Sequence, residues 1–194
     1  MRHYRALFGL LWLVSSLFLG GCEGVLCLLG LCPGLETAYI YAIKVTGFNI
    51  CTPNNNYCDP SKAEGPPDET TPWTGHFVSL GGQGGYIIAT MGKKFTNGPG
   101  IDLRIYEVGQ LQGGEDEPFD VFISKDGITW IQVADDIKND INKKYVSIDI
   151  SPNTGNYLYI KIVDKSSRRS TPRGTPGSDI DAIEALYTPR SIWP

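Results

Sequence analysis

Hydrophobic and polar positions alternate along much of this 194-residue chain, and turn-forming residues interrupt the alternation at short intervals. The segment 102–107 is typical, because Leu103 and Ile105 would face a core while Asp102, Arg104 and Tyr106 face the other way. Successive side chains of a strand point to opposite faces, so this pattern predicts a sheet with one buried and one solvated face.

About eight such strands are predicted, spaced as in a β-sandwich, and no internal repeat or long helical periodicity is present. Glycine (23 residues) and proline (13 residues) are abundant, as expected when many turns join short strands. The predicted fold class is therefore all-β and antiparallel. Among the clearest strands are 39–46, 86–91, 119–124, 145–150, 157–163 and 179–187.

Three turns set the expected connections. Asp126-Gly127 between two alternating runs predicts a tight hairpin in which both central residues have positive φ. The glycine run 81–85 precedes β-type sequence rather than a helix, which favours a glycine-rich hairpin over a phosphate-binding loop. The turn 97–100 would set the direction of the strand that follows it. Trp130, on the return strand of the hairpin, is expected in the core rather than as a ligand platform.

The N-terminus has the pattern of an export signal. Basic residues open the chain, an apolar run covers 6–19, and Leu19-Gly20-Gly21-Cys22 resembles a bacterial lipobox. We therefore expect a lipoprotein signal peptide at 1–21, lipidation of Cys22, and a tether at 22–36. An ordinary signal peptide or an uncleaved anchor is the alternative, although 6–19 is shorter than the roughly 20 apolar residues of a membrane span.

The remaining four cysteines form an even set. Their local spacing favours the disulfides Cys27–Cys32 and Cys51–Cys58 in an exported protein, with free thiols as the alternative. A zinc site is less favoured because His76 is the one histidine that follows the signal peptide. The second disulfide would clip the long aperiodic loop 47–74, and loops of this length often carry function.

The charge balance disfavours nucleic acid as a partner. Removal of residues 1–21 takes away Arg2 and Arg5 and no acid, which leaves 15 basic and 21 acidic residues. Phosphate binding depends mainly on lysine and arginine, so an acidic exported domain has little affinity for nucleic acid.

Six motifs in order resemble a group of bacterial secreted and cell-surface proteins with a galactose-binding-like, discoidin-type jelly-roll β-sandwich. The likeness covers roughly 39–187, which matches a predicted domain at 37–188 followed by a tail at 189–194. The motifs are 63–68 (AEGPPD), 77–88 (FVSLGGQGGYII), 97–107 (NGPGIDLRIYE), 117–130 (EPFDVFISKDGITW), 159–164 (YIKIVD) and 177–184 (GSDIDAIE).

The resemblance implies a non-catalytic surface domain whose better-known relatives bind glycans, lipid head groups or proteins through loops at one end, often with a structural calcium. Calcium prefers six to eight oxygen ligands, which carboxylates and loop carbonyls supply. That these acids merely cap turns or stay solvated remains the alternative. The candidate calcium ligands are Asp68, Asp179, Asp181 and Glu184.

The candidate ligand-binding surface is the loop end of the sandwich, since sugars are held by an aromatic face and a few polar groups. Its candidate residues are Tyr57, Trp73, His76 and Arg104. Trp73 could equally pack its loop onto the sandwich. No Gly-x-Ser-x-Gly motif surrounds any serine, so catalysis is not expected.

These observations favour a lipid-anchored binding or adhesion module of the cell envelope, at the outer membrane or cell surface, with a glycan as ligand. The alternative is a structural envelope protein that assembles with partner proteins and has no small ligand. A glycoside hydrolase is the third and least favoured hypothesis.

Lipidation predicts a specific mass. The protein from the membrane fraction should begin at Cys22 and carry diacylglycerol, whereas a Cys22→Ala variant should carry none. Intact mass spectrometry of both proteins tests this, and a soluble wild-type protein that begins elsewhere without lipid would contradict it.

Overall fold

The computed structural model describes residues 35–48, 50, 56–69, 74–108, 117–140, 143–167 and 177–189, with side chains from Tyr39 onward. One compact unit comprises Thr37–Pro189. The predicted signal peptide, Cys22 and the Cys27–Cys32 pair lie outside the described residues. Within the described ranges, no helix has the length and apolar character needed to cross a membrane.

Nine strands and one short 3₁₀ helix make up the regular structure of the described chain. The 3₁₀ helix is Pro60–Ala63. The strands are β1 (Leu35–Phe48), β2 (Val78–Ser79), β3 (Tyr86–Phe95), β4 (Leu103–Glu107), β5 (Phe119–Ser124), β6 (Ile131–Ile137), β7 (Val146–Ile148), β8 (Tyr157–Asp164) and β9 (Asp179–Pro189).

The strands form two antiparallel layers. One layer has the order β6-β5-β8-β3-β1, and the other contains β9, β4 and β7, with β2 also paired to β9. β1 and β9 are neighbours and connect the layers at one edge. The predicted all-β antiparallel sandwich is confirmed, with nine strands where about eight were expected.

The buried hydrophobic residues of the described chain form one core cluster between the two layers. Strand alternation supplies it, because Leu103 and Ile105 are fully buried while Arg104 and Tyr106 are only partly so. Asp102 was expected on the outer face, and that prediction is wrong. Its carboxylate is buried and accepts backbone N–H groups from Gly98 and Ile150, which closes the turn before β4.

The glycine run 81–85 is not a hairpin. β2 pairs with β9, whereas β3 pairs with β1 and β8, so the run carries the chain from one layer to the other. Hydrogen bonds to Asp164, at the end of β8, hold the glycine run in this connection. Its buried carboxylate accepts the N–H of Gly82 at 3.0 Å, and its backbone carbonyl accepts the N–H of Gly84.

The same carboxylate also holds two other segments. It accepts the N–H groups of Ser166 and Ser178 at 2.8 and 3.1 Å, so one side chain ties together three loops. Burial raises the pKa of Asp164, although these donors act in the opposite direction. We name this arrangement the Asp164 junction; it consists of Asp164, Gly82, Ser166, Gly177 and Ser178.

The β5–β6 hairpin forms as predicted, but its turn does not. Gly127 has φ of 76°, whereas Asp126 is not in the positive-φ region, and the turn is longer than two residues. Asp126 instead accepts the N–H groups of Ile128 and Thr129, both at 2.8 Å. These bonds lower the pKa of Asp126 to about 2 and replace the tight turn with an Asp-centred loop.

Two aromatic residues lie on the opposite side from the one expected. Trp130 is half-exposed on the outside of the five-stranded layer rather than in the core. Strand alternation places Tyr157 with Tyr159 and Lys161 on the solvated face of its strand, but Tyr157 is fully buried beside Phe95, with which it pairs across β8 and β3. The register of β3 against β8 shifts between Thr90 and Phe95, next to this pair, and the burial pattern of β8 departs from strict alternation at the same place.

Gly177 and Gly84 give a matched test of the Asp164 junction. Both glycines have positive φ. A Cβ added at Gly177 would lie 1.7 Å from an Asp164 carboxylate oxygen, whereas a Cβ added at Gly84 would have no heavy atom beyond the adjacent residues within 4 Å. We expect Gly84→Ala to lower the free energy of unfolding by about 1 kcal/mol. Gly177→Ala should cost roughly 3 kcal/mol or more, because steric overlap adds to the backbone strain. Urea denaturation measures both, and equal losses would contradict the role of the junction.

Candidate functional site

The loop before β2 begins with a capped 3₁₀ helix. The Asp59 carboxylate accepts the N–H and the hydroxyl of Ser61, at 3.0 and 2.7 Å, and Pro60 occupies the first helical turn. Ala63 ends the helix as a fully buried residue. Cys58 is disulfide-bonded, but its predicted partner Cys51 lies outside the described residues, so that pairing stays a prediction.

Glu64 and Gly65 fasten the loop to β1. The Glu64 carboxylate accepts the N–H of Val45 at 2.8 Å, and the N–H of Gly65 donates to the carbonyl of Ala42 at 2.9 Å. The start of the loop is therefore held in a fixed position on β1.

Asp181 fastens the next part of the loop to β9. Its buried carboxylate accepts the N–H groups of Asp68 and Glu69, at 3.2 and 3.3 Å. Burial, together with the nearby Asp68 carboxylate, raises the pKa of Asp181 to about 6. The side chain therefore titrates near neutral pH while it holds the loop.

Glu69 closes the loop on itself. It accepts the N–H and the hydroxyl of Thr74 and the N–H of His76, at distances of 2.5 to 2.8 Å. The segment 70–73 between these residues, including Trp73, lies outside the described residues. Glu69 thus fixes the positions of Thr74 and His76 relative to the first half of the loop.

His76 and Asp68 form an exposed pair. Nδ1 of His76 lies 2.9 Å from Oδ2 of Asp68, and the two side chains are 53% and 59% exposed. The hydrogen bond to Asp68 and the charge of that carboxylate raise the pKa of His76. Its other ring nitrogen has no partner among the described residues.

These groups surround an open cleft of about 430 Å³ at the loop end of the sandwich. The volume falls within the range typical of small-ligand sites. The lining contains hydroxyls, a lysine, two carboxylates and an imidazole, and it includes no buried apolar wall. The lining residues are Ser61, Lys62, Glu64, Asp68, Thr74, Gly75 and His76.

Two of the four predicted ligand-binding residues belong to this region. His76 lines the cleft, and Tyr57 lies just behind it, stacked on Phe77 with ring centroids 4.8 Å apart. Lys62 covers the Tyr57 ring at 5.8 Å and donates to the carbonyl of Asn56. Trp73 is not described, so its role stays a prediction.

Arg104 was predicted at the loop end, and this placement is wrong. Its guanidinium binds Glu184 at 3.2 Å and lies 4.8 Å from the Tyr145 ring, on the outer face of β4 and β9. The register of β4 against β9 sets this pairing, because Arg104 and Glu184 are direct cross-strand partners.

The four candidate calcium ligands do not share one site. Asp68 and Asp181 lie together, but Glu184 accepts the hydroxyls of Tyr41 and Tyr106 as well as Arg104. Burial and Glu184 raise the pKa of each tyrosine to about 12. No group of three or more His, Cys, Asp or Glu side chains in the described ranges is placed to hold a metal ion. Calcium binding stays a prediction that two carboxylates, rather than four, support.

The hydroxyls that line the cleft are committed to carboxylates. Ser61 donates to Asp59 and Thr74 donates to Glu69, and neither is bonded to His76. A histidine-activated nucleophile needs such a bond. The arrangement offers donors and acceptors to a ligand and does not assemble a nucleophile with its base.

Glu64, Glu69 and Lys62 were not singled out from the sequence. Asp59-Pro60-Ser61 carries a recognisable capping signal, with an N-cap acid followed by proline at the first helical position. It was missed because the surrounding loop has no periodicity. The partners of Glu64 and Asp181 are backbone N–H groups distant in sequence, for which no local signal exists.

Neither a protein-family model nor a curated protein matches this sequence. Solved structures of carbohydrate-binding modules are similar in fold. A pectin-binding carbohydrate-binding module has a TM-score of 0.47 and 13% identity, with coverage of 82% of this chain and 96% of that one.

Two CBM32 modules in complex with sugars are also similar. One, from Clostridium perfringens, is bound to GalNAc-β-1,3-galactose (TM-score 0.48, 15% identity, coverage of 73% and 94%). The other, from AlyQ, is bound to 4,5-unsaturated mannuronic acid (TM-score 0.46, 14% identity, coverage of 76% and 97%). At these scores and identities, the likeness does not identify a ligand for this chain.

The raised pKa of Asp181 predicts a pH-dependent stability. The folded protein binds this proton more tightly than the unfolded chain, whose aspartate titrates near 3.8. The contribution of this protonation to the free energy of unfolding is fully present below pH 3.8 and is lost as pH rises through about 6. The loss is at most about 3 kcal/mol, at about 1.4 kcal/mol per pKa unit.

Denaturation of wild type and Asp181→Asn in EDTA between pH 4 and 7 measures this dependence. The variant's curve should lack the decline between pH 4 and 6. Parallel curves for the two proteins would contradict the assignment.

Proposed function

We propose that this protein is a lipid-anchored cell-envelope module that binds a glycan in the loop-end cleft. The observation that carries the proposal is the way the cleft is held: the carboxylates of Glu64, Glu69 and Asp181 fix its backbone to β1, to itself and to β9. A ligand that enters such a cleft does not have to order it first, which preserves binding free energy.

The chemistry of the lining favours a ligand rich in hydroxyl groups. Lys62 and the imidazole of His76 are donors, while the carboxylates of Glu64 and Asp68 are acceptors. Sugar hydroxyls both donate and accept, so they can satisfy both kinds of group at once. The opposite charges in the lining favour a neutral glycan over a strongly charged one.

The location of the module is part of the proposal and rests on the sequence. The run 6–19 followed by the lipobox-like 19–22 supports attachment through Cys22. Lipid attachment would keep the cleft at the envelope surface, where extracellular or cell-wall glycans are available.

A structural envelope protein remains the second candidate function, and one observation favours it. Tyr39 and Ile43 on β1 are 67% and 64% exposed, and they project on the same side of the strand. Exposed apolar residues at a strand of this kind suit contact with a partner protein. Co-purification with envelope proteins and no glycan signal would support this alternative.

Removal of cleft groups should weaken glycan binding. On a glycan array, His76→Ala and Lys62→Ala should each reduce the signal about tenfold, as expected when a hydrogen bond that involves a charged group is lost. Lys143→Ala is the matched control, because Lys143 is exposed and lies outside the cleft lining. Equal loss in the control, or no glycan signal from the wild type, would contradict the proposal, and turnover of a glycoside would favour a hydrolase.

A further inference from the structure

The outer face of the five-stranded layer carries aromatic side chains from neighbouring strands. Phe48 on β1 and Tyr86 on β3 are cross-strand partners with ring centroids 5.3 Å apart. Phe122 on β5 is the cross-strand partner of Lys161 on β8, and Trp130 directly precedes β6. We call this set, Phe48, Tyr86, Lys161, Phe122 and Trp130, the aromatic strip.

The strip runs across β1, β3, β8 and β5 and ends at Trp130, which directly precedes β6. Neighbouring strands are spaced about 4.8 Å apart, so the four intervals give a length of roughly 19 Å. The rings are half-exposed, apart from Phe48 at 55%. They lie over a strand layer whose inward positions, such as Ile87 and Ile160, are fully buried. The core therefore does not require aromatic residues on this side.

Lys161 lies among three of these rings. Its ammonium is 4.7 Å from the Phe122 centroid, 4.9 Å from Trp130 and 6.0 Å from Tyr86. Such contacts restrict a lysine side chain that is otherwise flexible. Within the described residues, Lys161 forms no ion pair, so its charge is available to an anion.

The charge around the strip suits an anionic ligand. Asp120, the acid on the neighbouring part of β5, is paired with Lys165 at 3.4 Å and accepts the N–H of Asp136. Lys44 on β1 adds an exposed cation on the same side of the layer. Lys161 and Lys44 thus place two cations on this side of the layer, although the chain as a whole has a net charge of −4.

We propose that the aromatic strip is a second binding site, separate from the loop-end cleft, for an extended polysaccharide that contains uronic acid. The sugar rings stack on the aromatic faces, and a uronate carboxylate binds the ammonium of Lys161. The length of the strip accommodates several consecutive sugars. The half-buried setting of the rings suits stacking better than insertion into a lipid bilayer.

Calorimetry with the full-length protein tests the proposal, with polygalacturonate and hyaluronate as probes. Lys161→Met keeps the aliphatic stem between the rings and removes the charge, so the fold should persist. We expect it to weaken binding of both polymers about tenfold, as expected for a hydrogen bond to a charged group. Lys143→Met is the control and should bind as the wild type does.

Fully methyl-esterified polygalacturonate provides a matched ligand without the charge. The wild type should bind it about as weakly as Lys161→Met binds the acidic polymer. Trp130→Ala should weaken both forms, and Phe48→Ala serves as a second ring variant because that residue is largely exposed. Circular dichroism confirms that each variant is folded.

The proposals for the loop-end cleft and for the aromatic strip can be tested independently. His76→Ala should leave uronate binding unchanged, and Lys161→Met should leave binding of neutral glycans unchanged. The proposal is overturned if neither polymer binds, or if Lys161→Met binds them as the wild type does. It is also overturned if the strip variants instead lose binding to phosphatidylglycerol vesicles or lose self-association.

Discussion

The loops of this sandwich depend on one kind of interaction, a buried aspartate carboxylate that accepts backbone N–H groups from two or more loop or strand-end positions. Asp164 binds Gly82, Ser166 and Ser178, Asp102 binds Gly98 and Ile150, and Asp181 binds Asp68 and Glu69. Asp164 ends β8, Asp102 directly precedes β4, and Asp181 is the third residue of β9. Buried backbone donors must be satisfied, and irregular loops have no ladder partners to satisfy them.

This constraint connects the fold to the proposed function. A strand holds such a carboxylate at a fixed position, and the carboxylate then fixes the loop that donates to it. At the cleft, Asp181 on β9 and the loop residues Glu64 and Glu69 together place Lys62 and His76. The cleft is therefore an extension of the rigid sandwich, although its lining comes almost entirely from a loop.

The sequence allowed much of the fold to be predicted and less of the site. Strand alternation identifies the faces of β4 correctly, since Leu103 and Ile105 are buried and Arg104 is not. It does not identify which strands pair, and this is why the glycine run 81–85 was taken for a hairpin. The N–H groups that Asp164 accepts lie 82 residues away at Gly82 and 14 away at Ser178, beyond the reach of local patterns.

Local sequence patterns also decide which site residues can be located from the sequence. His76 belongs to a loop whose function was indicated by its length, whereas Arg104 was assigned to the loop end although its strand position leads it to Glu184. Trp130 was expected in the core because tryptophan is usually well buried. Its actual place, on the outer face near Lys161, follows from the register of β5 against β8 and the Asp-centred turn before β6.

The proposed function requires the preorganised loop-end cleft to bind a neutral glycan. Amide chemical-shift mapping during titration with the neutral oligosaccharide of highest array signal tests this requirement. We expect shifts confined to the loop 56–76 and its anchors on β1 and β9, without loss of amide protection elsewhere. Shifts confined to other surfaces, or none for any neutral oligosaccharide, would contradict it.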